Sequence, residues 1–289
     1  MLSIDKQVEN GFLVCPRSRH TLFLSDDGRY LHTADQISQY PRKNGCPILL
    51  ESKSQIEEIV NRKDESEKPN ILNKILKTIK KILFADFQTR TSRQAFARFD
   101  DYSDDALILV IGGGPKRHHK NMINLNIQLI TNVDIVADAY NLPYCDNCVD
   151  AIFIDAVLEH LNNPMVAIME MQRVLKKGGR ILSITPFLQF YHADPDHYQN
   201  LTLTGHEHYY KSCGFKIVES GVGVGPTYAL IMINMKYLSL IFPRFLNVII
   251  PAIYGLISMI IFKPMDLVLN KKEWAHILSS NTFVLVEKQ

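Results

Sequence analysis

The chain has 289 residues, with 32 basic and 30 acidic side chains giving a formal net charge of +2, and 46% of its residues are hydrophobic. So balanced a charge offers no electrostatic footprint for nucleic acid, and the hydrophobic share suits one main globular domain with an appendage. Five cysteines with no disulfide framework and no signal peptide suit a reducing cytosol.

The first fifty residues carry their own signature, "FLVCPRSRHTLFL" followed by "QYPRKNGCPILL", and resemble a small zinc-ribbon module. A structural zinc site needs four ligands. Here Cys15 stands alone, Ser18 occupies its partner's position and residues 32–36 contain no cysteine, so no metal is expected. The expectation is a metal-free β module at 1–50, held by Leu22, Phe23, Leu24, Ile48, Leu49 and Leu50. A helical linker at 51–100 follows, charged and solvated from Glu51 to Lys68. Beyond Pro69, "NILNKILKTIKKILF" sets Ile71, Leu72, Ile75, Leu76, Ile79, Ile82 and Leu83 opposite Lys74, Lys77, Lys80 and Lys81. Such a basic amphipathic helix either packs its apolar face on the domain or lies on a membrane surface.

Strands and helices then alternate. Leu107 to Ile111 is a continuous apolar run ending in Gly112, Gly113 and Gly114, a buried strand entering a tight turn. Glycine lets backbone amides approach a ligand closely because it has no Cβ. Further strands are expected over Met122–Ile127, Val133–Val136, Val149–Ile154 and Arg180–Thr185. Pro164 opens a helix with Met165, Ile168, Met169, Gln172 and Leu175 at helical spacing, ending on "KKGG". This alternation implies an open, mostly parallel α/β sheet that binds ligands at the carboxyl ends of its strands.

The glycine turn, "ADAYNLPY", "VLEHLNNP", "RVLKKGG" and "CGFKIVES" come in order, and together they resemble the class I S-adenosylmethionine-dependent methyltransferases of the ubiquinone-biosynthesis-like group. The continuation "PFLQFYHADPDHYQNLT" is similar to methyltransferases associated with surface-glycan assembly. The resemblance implies a Rossmann-like α/β fold: a mostly parallel seven-stranded sheet with helices on both faces, plus the small N-terminal β module and a hydrophobic helical insert before the last strand. It implies S-adenosyl-L-methionine as cofactor. Gly112, Gly113 and Gly114 would face its methionine end, Asn126 the ribose, Asp138 and Ala139 the adenine, and Asp155 the region next to the acceptor. Chemistry of this kind needs positioning and exclusion of water more than covalent help.

Several positions depart from the family. Many members have an acidic residue where this chain has Val110, a glycine where it has Lys116, and a carboxylate where it has Asn126, which accepts ribose hydroxyls without charge assistance. The turn also runs into the basic "PKRHHK", either a solvated turn or an anion site. His192, Asp194 and His197 are the candidate catalytic residues, since a His near an Asp (Asp194 or Asp196) makes an oriented general base; alternatively the loop only caps the helix that starts near Thr202. Glu159 and His160 either border the site or brace their helix. Cys145 and Cys148 form a CxxC but fall in an ordinary loop position.

Phe245 to Phe262 carries no charge, yet is marginal against the about 20 residues of a membrane span. If "FKIVES" and "TFVLVEK" are strands of one sheet, the chain between them must leave and return on the same side, which excludes a single crossing. The expected division is therefore a core at 101–235, a helical insert or cap at 236–275 and the core's last strand at 276–289. The insert and the Lys-rich helix together suggest membrane-surface contact at the inner face of the membrane. Two functions remain: methyl transfer to an oxygen or nitrogen of a small-molecule, saccharide or lipid-linked acceptor, or a catalytically silent relative that serves as a scaffold.

Overall fold

The centre of the structure, a computed structural model describing residues 2–62, 88–114, 121–193 and 196–289, is a set of short apolar runs laid side by side. They are β5 (Ile108–Ile111), β6 (Met122–Asn126), β7 (Ile135–Ala137) and β8 (Val149–Asp155). All four run parallel, in the order β7-β6-β5-β8. Every residue of β5 and β7 is buried, which is why these strands read as continuous hydrophobic runs rather than alternating ones. The expected lysine-rich helix at 70–84, the basic loop at 115–120 and Asp194 lie outside the described residues.

β9 (Leu175–Pro186) continues the sheet parallel to β8, and β11 (Asn281–Lys288) and β10 (Phe215–Val224) complete that side as an antiparallel pair. The strands foreseen at "FKIVES" and "TFVLVEK" do pair in one sheet. That sheet is larger than expected, however: it has eleven strands, in the order β1-β2-β3-β4-β7-β6-β5-β8-β9-β11-β10. The extra four come from the N-terminal module: β1 (Leu22–Leu24), β2 (Tyr30–Thr33), β3 (Gln39–Lys43) and β4 (Cys46–Leu49). β4 is buried at all four positions and runs parallel to β7, pairing Ile48 with Val136 and Leu49 with Ala137. An apolar strand with no solvent face belongs inside a sheet, and here it closes the edge that β7 would otherwise expose. Phe23 is not part of the core, being 46% exposed. It alternates outward from Leu22 on a short outer strand.

The other differences are local. The helix opened by Pro164, α4 (Pro164–Val174), ends one turn early, and "LKKGG" starts β9 instead of capping the helix. A Cβ on Gly179 would lie 2.9 Å from the Asp150 carbonyl oxygen, so only glycine lets β9 come this close to β8. The linker is helical where described, α1 (Ile4–Glu9) preceding the module, then α2 (Lys53–Asn61) and α3 (Arg90–Ala97). Unlike α2, which buries nothing, α3 and the turn after it put Ala95 and Phe99 against Ile108, Val110 and Phe153. Residues 90–101 thus belong to the core.

α5 (Leu203–Ser212) begins where expected, with Thr202 Oγ1 accepting from Gly205 N at 3.1 Å. Its His206 is fully buried, 2.9 Å from Ser183 Oγ on β9 and 3.1 Å from Thr282 Oγ1 on β11. Burial lowers its pKa to about 3. The unfolded chain takes up this proton near pH ~6.5, the native one only near 3. The stability that neutral His206 contributes is thus complete above the unfolded value and lost as pH falls towards the folded one, by roughly 5 kcal/mol at the limit. His206→Gln is expected to flatten the acid limb of a melting temperature against pH profile. An unchanged slope would mean that another group sets that limb.

The insert begins at Pro226 rather than at residue 236. It consists of α6 (Pro226–Ile241), α7 (Ile249–Phe262) and α8 (Asp266–Leu269). Gly255 of α7 meets Met235 of α6 so closely that a Cβ would lie 2.7 Å from its Sδ, and Asn234 donates to Tyr254 OH at 2.9 Å.

Candidate functional site

Parallel pairing sets Ile111 beside Ile154 and Asp155 beside Ile184, so the turns after β5, β8 and β9 open on one edge of the sheet. The glycine turn lies there. Gly112 has φ +72°, and a Cβ on it would sit 2.1 Å from Val157 Cγ2. A Cβ on Gly113 would meet Asn124 at 2.9 Å, whereas nothing among the described residues lies within 4 Å of one on Gly114. The first two glycines are therefore demanded by the fold, and the described neighbours place no such demand on the third.

Asn126, at the end of β6, reaches the same turn. Its Nδ2 donates to Gly113 O at 3.1 Å and its Oδ1 accepts from Gln128 N at 2.9 Å. Each amide atom keeps spare capacity, one hydrogen and one lone pair, for a pair of hydroxyls. Beyond β7, Asp138 Oδ1 accepts from Tyr140 N at 2.9 Å in a tight turn, and half-buried Ala139 packs on the core. The N-terminal module holds this loop. Asn141 Nδ2 donates to Pro16 O at 2.8 Å, Arg19 donates to Leu142 O at 2.9 Å, and Tyr144 OH donates to Gln7 Oε1 at 2.8 Å. The module thus fixes the loop that follows Asp138 and Ala139.

Asp155 ends β8 at the centre of the edge. Burial alone pushes its carboxyl up to about 6, and among the described residues no cation pairs with it. The next residue, Ala156, holds φ +53°, a costly left-handed conformation for a residue with a Cβ. That kink folds Val157 back beneath Gly112. Sequence reasoning missed it, since nothing marks an alanine for positive φ. A half-buried glycine turn, the Asn126 amide and a half-buried carboxylate without a cation among the described residues fit S-adenosylmethionine, whose sulfonium and amino groups are cationic.

The histidines gather next to this carboxylate. His160, His192 and His197 meet edge-to-face or tilted, with ring centroids 4.5 to 5.8 Å apart. His192 N donates to His197 Nδ1 at 3.1 Å, which makes Nε2 the donor to Asn200 Oδ1 at 2.8 Å. The expected pairing of a histidine with a carboxylate in this loop is not formed among the described residues: Asp196 Oδ2 instead accepts from Tyr198 OH at 3.3 Å. Glu159 is 0% exposed, neither of its oxygens has a geometrically sound hydrogen-bond partner among the described residues, and burial, with the charge of Asp155 adding to it and its own backbone N–H opposing it, pushes it up to about 7. It braces nothing.

The cysteines take no part. Cys148 Sγ donates to Cys145 O at 3.0 Å, and burial pushes its thiol up. Burial also raises Cys15, but hydrogen bonds with Ser18 and Tyr40 outweigh it and bring the thiol down to about 7.

Residues 117–183 match a family described as a methyltransferase domain. That central segment is similar to methyltransferase domains. The chain is similar to the demethylmenaquinone methyltransferase of Staphylococcus haemolyticus, 36% identical over 29% of this chain and 30% of that one. It is also similar to the ubiquinone/menaquinone biosynthesis C-methyltransferase of Klebsiella pneumoniae, 43% identical over 20% of this chain and 23% of that one. The matched stretch thus spans less than a third of either relative. Among solved structures it is similar to Haemonchus contortus phosphoethanolamine N-methyltransferase 2 in complex with S-adenosyl-L-methionine, at 15% identity and TM-score 0.44, covering 73% of this chain and 56% of that one.

Proposed function

We propose that the chain transfers the methyl group of S-adenosylmethionine to an oxygen or nitrogen on the polar head of a lipid-linked acceptor, such as a saccharide on a lipid carrier, at the cytoplasmic face of a membrane. The observation that carries this reading is where the insert is rooted. Val224 pairs with Asn281 and Asn281 with Pro186, so the apolar helices leave and rejoin the sheet at the edge where Gly112 and Asp155 lie. Between them is an apolar pocket of about 400 Å³ whose walls include Leu188, Leu230, Ile233, Phe262 and Leu278. Leu188 belongs to the loop that carries His192, so a tail held in the pocket brings its head group to the histidines.

The bound cofactor supplies an activated methyl group on a sulfonium. The protein then has to align it with the acceptor and exclude water. Asp155 offsets the positive charge, the glycine turn holds the cofactor's methionine end and Asn126 its ribose, and His192 and His197 line the acceptor side.

A second reading is favoured by the relatives, which are named for demethylmenaquinone and for C-methylation: the acceptor is the ring carbon of a lipid quinone. Labelled methyl transferred from S-adenosylmethionine into membrane lipids separates the two, appearing either in the hydrolysed polar heads or in the quinone fraction. Calorimetry with S-adenosylmethionine and S-adenosylhomocysteine comes first. Binding of both is expected, and binding of neither would make the chain a silent scaffold.

A further inference from the structure

A carboxylate with no exposed surface and no hydrogen bond is costly unless something outside the chain pairs with it. Among the described residues Glu159 is such a group, and the side chains beside it are of metal-binding types. One oxygen of Glu159, one ring nitrogen of His160 and one of His192 all lie within 4.8 Å of one another. His160 Nε2 stands 3.8 Å from Glu159 Oε1. Both imidazoles are also held in the right tautomer. His160 Nδ1 contacts the carbonyl oxygen of Asp196, and His192 Nδ1 that of Phe190 at 3.1 Å. A carbonyl can only accept, so each neutral ring carries its proton on Nδ1 and leaves the Nε2 lone pair free, the arrangement that orients metal-binding histidines. The two ligand-bearing segments are tied together as well. Tyr198 N donates to Glu159 O at 2.8 Å, and Gln199 Nε2 donates to Leu158 O at 3.2 Å.

We propose that Glu159, His160 and His192 bind one divalent transition-metal ion next to the cofactor crevice, with its open positions turned to the acceptor. This reverses the expectation of no metal that the sequence suggested. Two imidazoles and one carboxylate suit Zn²⁺, Mn²⁺, Fe²⁺ or Co²⁺ better than Mg²⁺ or Ca²⁺, which prefer oxygen. Three protein ligands leave room for a further one, as at catalytic rather than structural sites. The ion's role rests on the methyl-transfer reading, although its binding does not. A hydroxyl of the acceptor held by the ion loses its proton more easily. The oxygen then forms a bond to the methyl carbon as the carbon–sulfur bond breaks; that bond's electron pair goes to sulfur, leaving a neutral thioether, and the proton passes to water.

The full chain, stripped with chelator and dialysed, is titrated with Co²⁺ and Zn²⁺. One ion per chain is expected, with visible d–d bands for Co²⁺ that Zn²⁺ displaces. Glu159→Gln and His192→Ala should each weaken binding by at least about tenfold. His192 lies on a partly exposed loop, so its variant tests the site even if the buried Glu159→Gln misfolds. No uptake by the parent chain, or equal affinity in a folded His192→Ala, overturns the site. S-adenosylmethionine binding is measured in parallel: metal uptake without it would sink the methyl-transfer reading alone, and the converse would sink the metal site alone.

Discussion

Gly112→Arg is expected to abolish detectable S-adenosylmethionine binding, a loss of at least about a hundredfold, or ~2.7 kcal/mol. Two independent barriers act at this position. The backbone sits at φ +72°, which costs a residue with a side chain roughly 1–2 kcal/mol. In addition, any Cβ would fall 2.1 Å from Val157 Cγ2, well inside van der Waals contact, so either the turn or the segment from Asp155 to His160 must move. Gly112→Ala should therefore already weaken the cofactor and lower the melting temperature. Adding Val157→Ala removes the clashing methyl but leaves the backbone strain, so the double variant should recover part of the loss. Calorimetry and thermal melts on the three variants check this. Full binding and parent-like melting by Gly112→Ala would mean that the turn adopts another conformation.

The strand–turn–helix order was readable because β5 and β7 were continuous apolar runs and β6 was apolar on alternate positions, each bounded by glycine, proline or polar residues. Periodicity could not show that "CPIL" is a sheet strand, because a short apolar run has no partner written in it. Its match with Ile135–Ala137 is a tertiary fact. The same holds for "LKKGG", whose cations and glycines imitate a helix end while Gly179 in fact permits close strand approach. At the site, Gly112, Asn126 and Asp155 were legible from motif order, because parallel strands bring successive carboxyl ends to one edge. Glu159, His160 and His192 were visible singly, but their convergence depends on the reversal at Ala156, which no local signal announces. The basis for expecting a His–Asp base was proximity in sequence. In the fold, Asp196 turns to Tyr198 and His197 to Asn200.

The apolar insert carries the second large effect: the full chain is expected to float with anionic phosphatidylglycerol vesicles, and Ile253→Glu/Leu256→Glu/Ile260→Glu to remain in the soluble fraction. These three residues share one face of α7 and are 53%, 46% and 71% exposed. Replacing them therefore removes no core packing, and the fold and cofactor binding should persist. Only 17% of the most apolar window of Ile249–Leu269 is buried. Neighbouring Leu240, Ile241, Phe245, Val248, Ile257 and Ile261 are exposed too, far more contiguous apolar surface than a soluble monomer ordinarily leaves uncovered. Arg244 and Lys263 flank the uncharged run, where their stems can lie along hydrocarbon with the charges at the headgroups. A single crossing is excluded by the register, since Val224 and Asn281 are paired neighbours at the two ends of the insert. Helices that dip into one leaflet and return are the arrangement this flotation test addresses. Burying an isoleucine or leucine stabilises by about 1.5–3 kcal/mol, so losing three should lower partitioning by on the order of a thousandfold or more. Equal flotation of parent and variant would remove α7 as the contact, and flotation of neither would sink the membrane reading. The charge variant is a cleaner test than deleting residues 236–275, because that cut falls inside α6 and strips Gly255 from Met235. It also separates docking from chemistry: a chain that no longer floats but still binds cofactor should methylate a water-soluble head group while losing its lipid-borne acceptor.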